Sequence, residues 1–393
     1  MKYYFDDTDY DAQYARTLGK TAFGCAEVGE CIAAANLIKP GDDSTWVAAW
    51  EGLAKKLDGE AAAALTDETR RAKYLRASEY YRAAFFYNRS DLDDPVLQEN
   101  YASHVRCHRE AMKVATFVVE PIEIPFENTT LTGYFYSPDD SGKARPTVIV
   151  PGGYDGTAEE SHPVAINAVA RGMNALIFDG PGQGGTLYLR RIPMRPDYEN
   201  VSPIVNDFAL GLRGVDPKAL AWVGRSFGGL ITPRAVAGDP RIAAMVVDPG
   251  QINLFLAVSA KFGPDDLALL DVDTDEARAH FQALLGIPGL AHLFKPRMTT
   301  HGVDSVWEYL RSLRDYRADE FAPKIACASL VCDNEFDPVS TGQGQMLFDA
   351  LTCDKQFHRF TGAEGAAGHC EGAGQSLFFE MAFDWLHSKL TPA

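Results

Sequence analysis

The stretch LAWVGRSFGGLI, residues 220–231, decides how this chain is read. Four apolar residues run into Gly224-Arg225-Ser226-Phe227-Gly228, and an apolar, turn-free segment follows. This is the G-x-S-x-G pattern of a serine carried on a sharp strand-to-helix turn. So tight a turn needs glycine-like neighbours, because a Cβ on either side of the serine would collide. Ser226 would then stand exposed above a sheet, at a helix N-terminus whose amides and dipole favour developing negative charge. The bland alternative is an ordinary Gly-Ser turn. Its position between a strand-like run and a helix-like one favours a nucleophile.

Working outward, the chain has two textures. Residues 1–115 read as successive helices, with apolar and aromatic positions three and four apart. The segment EYYRAAFFYNR among them suits plain helix packing better than a pocket wall. From residue 118, β and α patterns alternate. FVVEPIEIPF and LTGYFYSP predict an opening hairpin. PTVIVPGG, MNALIFDGPGQG, ALAWVGRS, IAAMVVDPG and CASLVCDNEFD are short apolar runs ending in turn residues, as buried parallel strands do. The fold class is therefore α/β: a mostly parallel sheet with helices on both faces. About 75 residues separate VVDPG from CASLVC, too many for one crossover. The expected organisation is a helical lid over 1–115 and a core over 116–393. A helical cap inserted at about 251–320 would pack with the lid on the sheet's C-terminal edge.

A nucleophilic serine needs a base, and the base needs an orienting acid. In this strand order the acid follows a late strand and the histidine comes last. SLVCDNEFDPVS offers Asp333, Glu335 and Asp337; Asp337, deepest in the loop, is the choice and Asp333 the alternative. Of the histidines after it, His358 lies in a strand-like run and His387 on the terminal helix. That leaves His369, in the glycine-rich FTGAEGAAGHCEGAG. The oxyanion hole is expected from the amide of Phe227 and that of Gly153 or Tyr154, in PGGYDGTAEE after the third strand. Asp155 beside it has two readings. It caps the following helix, or burial keeps it protonated and it takes part in acid–base chemistry.

GGYDGTAEE, FDGPGQG, PDYENVSPIVNDF, GRSFGG, Asp337 and GHC, in this order, resemble a lidded α/β-hydrolase family. It includes bacterial 2,6-dihydroxypseudooxynicotine hydrolase and the fungal polyketide-shortening hydrolases of pigment pathways. The likeness covers roughly residues 75–390 and leaves the first 70 or so unmatched. It implies an α/β-hydrolase fold, C–C bond hydrolysis under an N-terminal helical lid, and Ser226, Asp337 and His369 as triad. The nicotine-pathway member carries Glu, implicated in its chemistry, where this chain has Asp155.

Composition narrows the partners. A net charge of −17 disfavours nucleic acid and anionic membrane, and the expected partner is a small-molecule substrate, with a homodimer left open. The N-terminal stretch has no signal-peptide pattern, and no run of 18 residues is apolar enough to span a bilayer. Seven scattered cysteines suit reduced thiols, so a cytoplasmic location is expected. No cofactor or metal is expected. His104, Cys107 and His108 have helical metal-ligand spacing but lack a fourth ligand, and the glycines of residues 179–185 lack the Lys-Ser/Thr of a phosphate loop. The leading function is a serine hydrolase cleaving a carbonyl-activated bond, foremost a C–C bond of an aromatic or polyketide-like ketone or β-dicarbonyl. A carboxylesterase or amide hydrolase with the same triad is the alternative, and a non-catalytic binding protein on this fold a third.

Overall fold

The computed structural model describes residues 2–287 and 289–391. Five helices come first: α1 (Thr8–Leu18), α2 (Val28–Ala35), α3 (Asp43–Ala62), α4 (Asp67–Ala84) and α5 (Pro95–Met112). Four of their starts are chemically marked. Asp7, Asp42, Thr66 and Asp94 stand at N-caps and accept first-turn amides, and Pro95 opens α5 where a missing N–H is harmless. Trp46, Trp50, Tyr80 and Phe85 are buried among these helices, and the Trp46 indole donates to the Ala83 carbonyl at 2.7 Å. Tyr81 and Phe86 are buried too, so EYYRAAFFYNR is mainly packing.

The sheet contains β1 (Val118–Phe126), β2 (Thr129–Ser137), β3 (Arg145–Pro151), β4 (Asn174–Phe178), β5 (Val215–Arg225), β6 (Ile242–Asp248), β7 (Ala328–Asn334) and β8 (Lys355–Phe360). Their order is β1-β2-β4-β3-β5-β6-β7-β8. β2 is antiparallel to both its neighbours, and the other pairs are parallel. Side chains alternate between the faces, as a period of two requires. Val148, Val150, Ala221 and Val223 join one core with the N-terminal helices. Ile149, Leu220 and Trp222 join the other. The connections carry α6 (His162–Ala170), α7 (Gly184–Tyr188), α8 (Tyr198–Gly211) and α9 (Gly228–Val236).

From β3 the chain crosses to β4 on one side and later returns to β5 on the other. The loops leaving β3 and β5 therefore diverge, opening a crevice at the carboxyl ends of the strands. Between β6 and β7 lie α10 (Leu254–Ser259), α11 (Pro264–Leu269), α12 (Asp275–Gln282), α13 (Leu290–His301) and α14 (Val306–Ser312). Helices α15 (Gln343–Ala350) and α16 (Gln375–Leu390) complete the chain. The N-terminal helices meet the inserted ones where Thr299 donates to the Ser90 carbonyl at 2.7 Å. They meet the core through Arg16–Glu160 at 2.5 Å and Lys20–Glu160 at 2.7 Å. Their apolar side chains belong to the same core as one sheet face, while Arg16 and Arg89 reach the loop after β3.

Candidate active site

β5 ends directly at the serine turn. Ser226 has φ +55°, a left-handed conformation that a residue with a Cβ adopts only where its surroundings impose it. Its amide donates to the Asp248 carbonyl at 2.7 Å, and its carbonyl accepts Gly229 N–H at 2.8 Å and the Gln251 amide at 2.7 Å. A Cβ on Gly224 would lie 2.2 Å from the Gly228 carbonyl oxygen. The second crowded glycine is Gly229, where a Cβ would lie 2.0 Å from the Pro249 carbonyl; at Gly228 the nearest atom is 3.7 Å away. The close approach thus falls one residue later than G-x-S-x-G suggests, because helix α9 lies against the end of β6.

Ser226 Oγ lies 2.7 Å from His369 Nε2, and His369 Nδ1 lies 3.0 Å from Asp337 Oδ2. With Nδ1–H donating to the carboxylate, Nε2 is free to accept the serine proton. Asp337 also accepts the Val339 amide at 2.8 Å and the Ser340 hydroxyl at 2.7 Å. Burial alone would raise the Asp337 carboxyl, but His369, Ser340 and Val339 outweigh it and hold the carboxyl below its ordinary range. Burial would likewise push His369 down; the neighbouring Cys370 and the Asp337 carboxylate prevail and hold it well above the ordinary range. Asp333 faces away, its carboxylate 3.7 Å from Arg359 Nε.

The loop after β3 closes over the serine from the other side. A Cβ on Gly153 would lie 3.3 Å from Ser226 Cβ. Among the described residues, the amides of Phe227, Gly153 and Tyr154 have no hydrogen-bond acceptor, whereas that of Gly152 is taken by Gln183. Gln183 is a feature that sequence reasoning missed. Buried, it accepts the Gly152 and Gly180 amides at 3.1 and 2.9 Å and donates to the Gly152 and Gly153 carbonyls at 2.6 and 3.1 Å. It therefore clamps the loop after β4 to the one carrying the free amides. The signal was there in DGPGQG: an amide side chain, able to donate and accept at once, inside a glycine turn.

Asp155 departs from both expectations. Its carboxylate pairs with Arg89 of the N-terminal helices, and its carbonyl accepts from Arg16 at 3.3 Å. Burial would raise it, but Arg89, Arg297 and Arg16 more than cancel that, so it is held charged, below the ordinary carboxylate range. Three neighbouring guanidinium groups thus favour the charged acid over a protonated one. Nor does it cap the next helix: Asp179 takes the Ala158 amide at 2.7 Å, and Thr157 the Glu160 amide at 3.2 Å.

On the side of the inserted helices, Tyr154 packs on Phe227 with ring centres 5.2 Å apart, and its hydroxyl lies 2.5 Å from His301 Nε2. Burial and Arg297 push the His301 imidazole down to about 3, so it is neutral. Arg297 lies over the Tyr154 ring, 5.3 Å from its centre, and donates to the Leu293 carbonyl. His104 bonds Ser78 and Thr157, and His108 bonds Tyr136. No group of three or more metal-ligating side chains occurs among the described residues.

Comparison with known proteins now bears on this geometry. The profile of the family described as esterase FrsA-like matches residues 41–251. Hydrolase LUC6 of a Fusarium species is 30% identical over 98% of this chain and 97% of its own length. The 20-hydroxy-prefusarin hydrolase FUS2 of Gibberella moniliformis is 35% identical over 63% of this chain and 61% of its own. Among solved structures, 2,6-dihydroxy-pseudo-oxynicotine hydrolase superposes with a TM-score of 0.73 at 22% identity, covering 95% of each chain. The last likeness is one of fold. Among the described residues no helix is long and apolar enough to cross a membrane.

Proposed function

The chain belongs to the FrsA-like esterase family and has the α/β-hydrolase fold, and from that premise we propose that it is a serine hydrolase that cleaves the C–C bond of a small ketone or β-dicarbonyl. The observation that carries the reading is the hydrogen-bonded chain from Ser226 through His369 to Asp337, beside free backbone amides on Phe227, Gly153 and Tyr154. Ser226 Oγ attacks a carbonyl carbon as His369 takes its proton, and the oxyanion falls among those amides. Collapse breaks the bond to the α-carbon, whose electron pair leaves as an enolate. His369, now imidazolium, protonates that carbon. Water, deprotonated by His369, then releases the acyl group as an acid.

Two features favour a carbanionic leaving group. Arg297 forms no ion pair among the described residues and lies over Tyr154, where its positive charge would attract the negative charge of an enolate. The neutral His301 and the tyrosines around it supply hydrogen-bonding groups on an aromatic wall, suited to an aromatic or polyketide-like substrate. The proton comes from His369, so a charged Asp155 is no obstacle. Mass spectrometry of the products from a panel of aryl esters and β-diketones tests the reading. Acid plus ketone supports C–C cleavage; turnover confined to acid plus alcohol overturns it in favour of the esterase.

A further inference from the structure

We propose that Arg225, the residue just before the serine, is a positioning residue that sets the distance between Ser226 and His369. It rests on those two being nucleophile and base. Its guanidinium spans three parts of the chain. Nε donates to Asp248 Oδ2 at 2.9 Å, at the end of β6. One terminal nitrogen, Nη2, donates to the Cys370 carbonyl at 3.0 Å and to Glu371 at 2.6 Å, in the turn that carries His369. The other, Nη1, donates to Gln375 at 3.2 Å, at the start of α16. The group lies over Phe378 and Phe379, 4.7 and 5.4 Å from their ring centres, which keeps water from replacing its partners.

The turn it grips does not hold its shape by intrinsic preference. Cys370 and Glu371, the two residues after His369, are both left-handed, at φ +49° and +59°. Such conformations persist where surrounding contacts over-determine them. Glu371 is fully buried and is also held by Asn334 at 2.7 Å, three residues before Asp337. Asp248 closes the circuit: its side chain takes Arg225, while its carbonyl takes the Ser226 amide at 2.7 Å and faces the Cys370 thiol at 3.6 Å. Elbow, β6 end and histidine turn thus share one rigid fork. Only a planar guanidinium offers donors in these directions; a lysine supplies the charge at a single point.

The test compares Arg225→Lys with the wild type, per active site titrated by acyl-enzyme burst. A displacement near 1 Å between reacting groups costs on the order of 100-fold. We expect kcat to fall by about 30- to 100-fold with KM within about threefold, and labelling of Ser226 by a fluorophosphonate to slow in parallel. Arg225→Gln, which keeps a planar donor without the charge, is the second variant should the lysine protein fold poorly, and is read against the same criteria. A kcat per titrated site within about threefold of wild type in the variant that folds, or a loss carried by KM, overturns the proposal. Absence of labelling in the wild type would instead overturn the assignment of Ser226.

Discussion

Asp155→Asn separates a charged acid from a protonated one. The carboxylate is the partner of Arg89, whose side chain is 8% exposed, while its own is 24% exposed. Removing one member of a fully buried ion pair costs about 3–5 kcal/mol, and solvent screening at this partly open site reduces that to about 1–2 kcal/mol. Unfolding entropy of about 2.1 cal/mol/K per residue over 393 residues converts this to a Tm lower by about 1–3 °C. Because the folded carboxyl is held below its ordinary range, its stabilisation is complete above the unfolded value of about 4. The difference between the two proteins should therefore persist at pH 7 and fade as pH falls through the folded value. In kinetics, kcat/KM for a ketone and for an activated ester should change by the same factor, leaving their ratio within about threefold, since no proton is lost from the mechanism. A ketone rate about 100-fold lower with the ester rate intact would refute the charged state and give Asp155 an acid–base role.

Two further outcomes follow from the same geometry. The acid limb of kcat/KM should have its midpoint above the ordinary histidine value, because His369 is held high; activity is lost as pH falls through it. Asp337→Asn should move that midpoint down, and a pH–rate profile of both proteins checks it; Asp333→Asn should leave it in place. Gly229→Ala should give little folded protein, because its Cβ would lie 2.0 Å from a carbonyl oxygen, whereas Gly228→Ala, with 3.7 Å of room, should fold and melt near the wild type. Thermal melts of the two variants settle the order.

The parts of the fold legible in the sequence are those with local causes. Strand ends show because apolar runs stop at glycine, proline and aspartate, and five of the predicted runs correspond to β3, β4, β5, β6 and β7. Ser226, Asp337 and His369 could be nominated because each sits in a loop with its own chemical mark, although their meeting depends on the sheet. Within the insertion, α12 and α14 show helical periodicity, whereas α13 carries Pro296 in its interior and is masked by it. The pairing of Asp155 with Arg89 is not legible locally, because Arg89 lies 66 residues away and reaches it only once the N-terminal helices dock. Arg225 bridges segments distant in sequence, which no local pattern records, and Gln183 shows in the sequence only as an amide side chain inside a glycine turn, without its partners.

The whole account stands on one serine. A fluorophosphonate probe followed by intact-protein and peptide mass spectrometry should find a single adduct, on the peptide holding Ser226. Ser226→Ala should take up none and lose about 10⁴-fold or more in kcat while keeping the wild-type melting curve. Labelling at another residue, or an alanine variant that retains a tenth of the turnover, would contradict it.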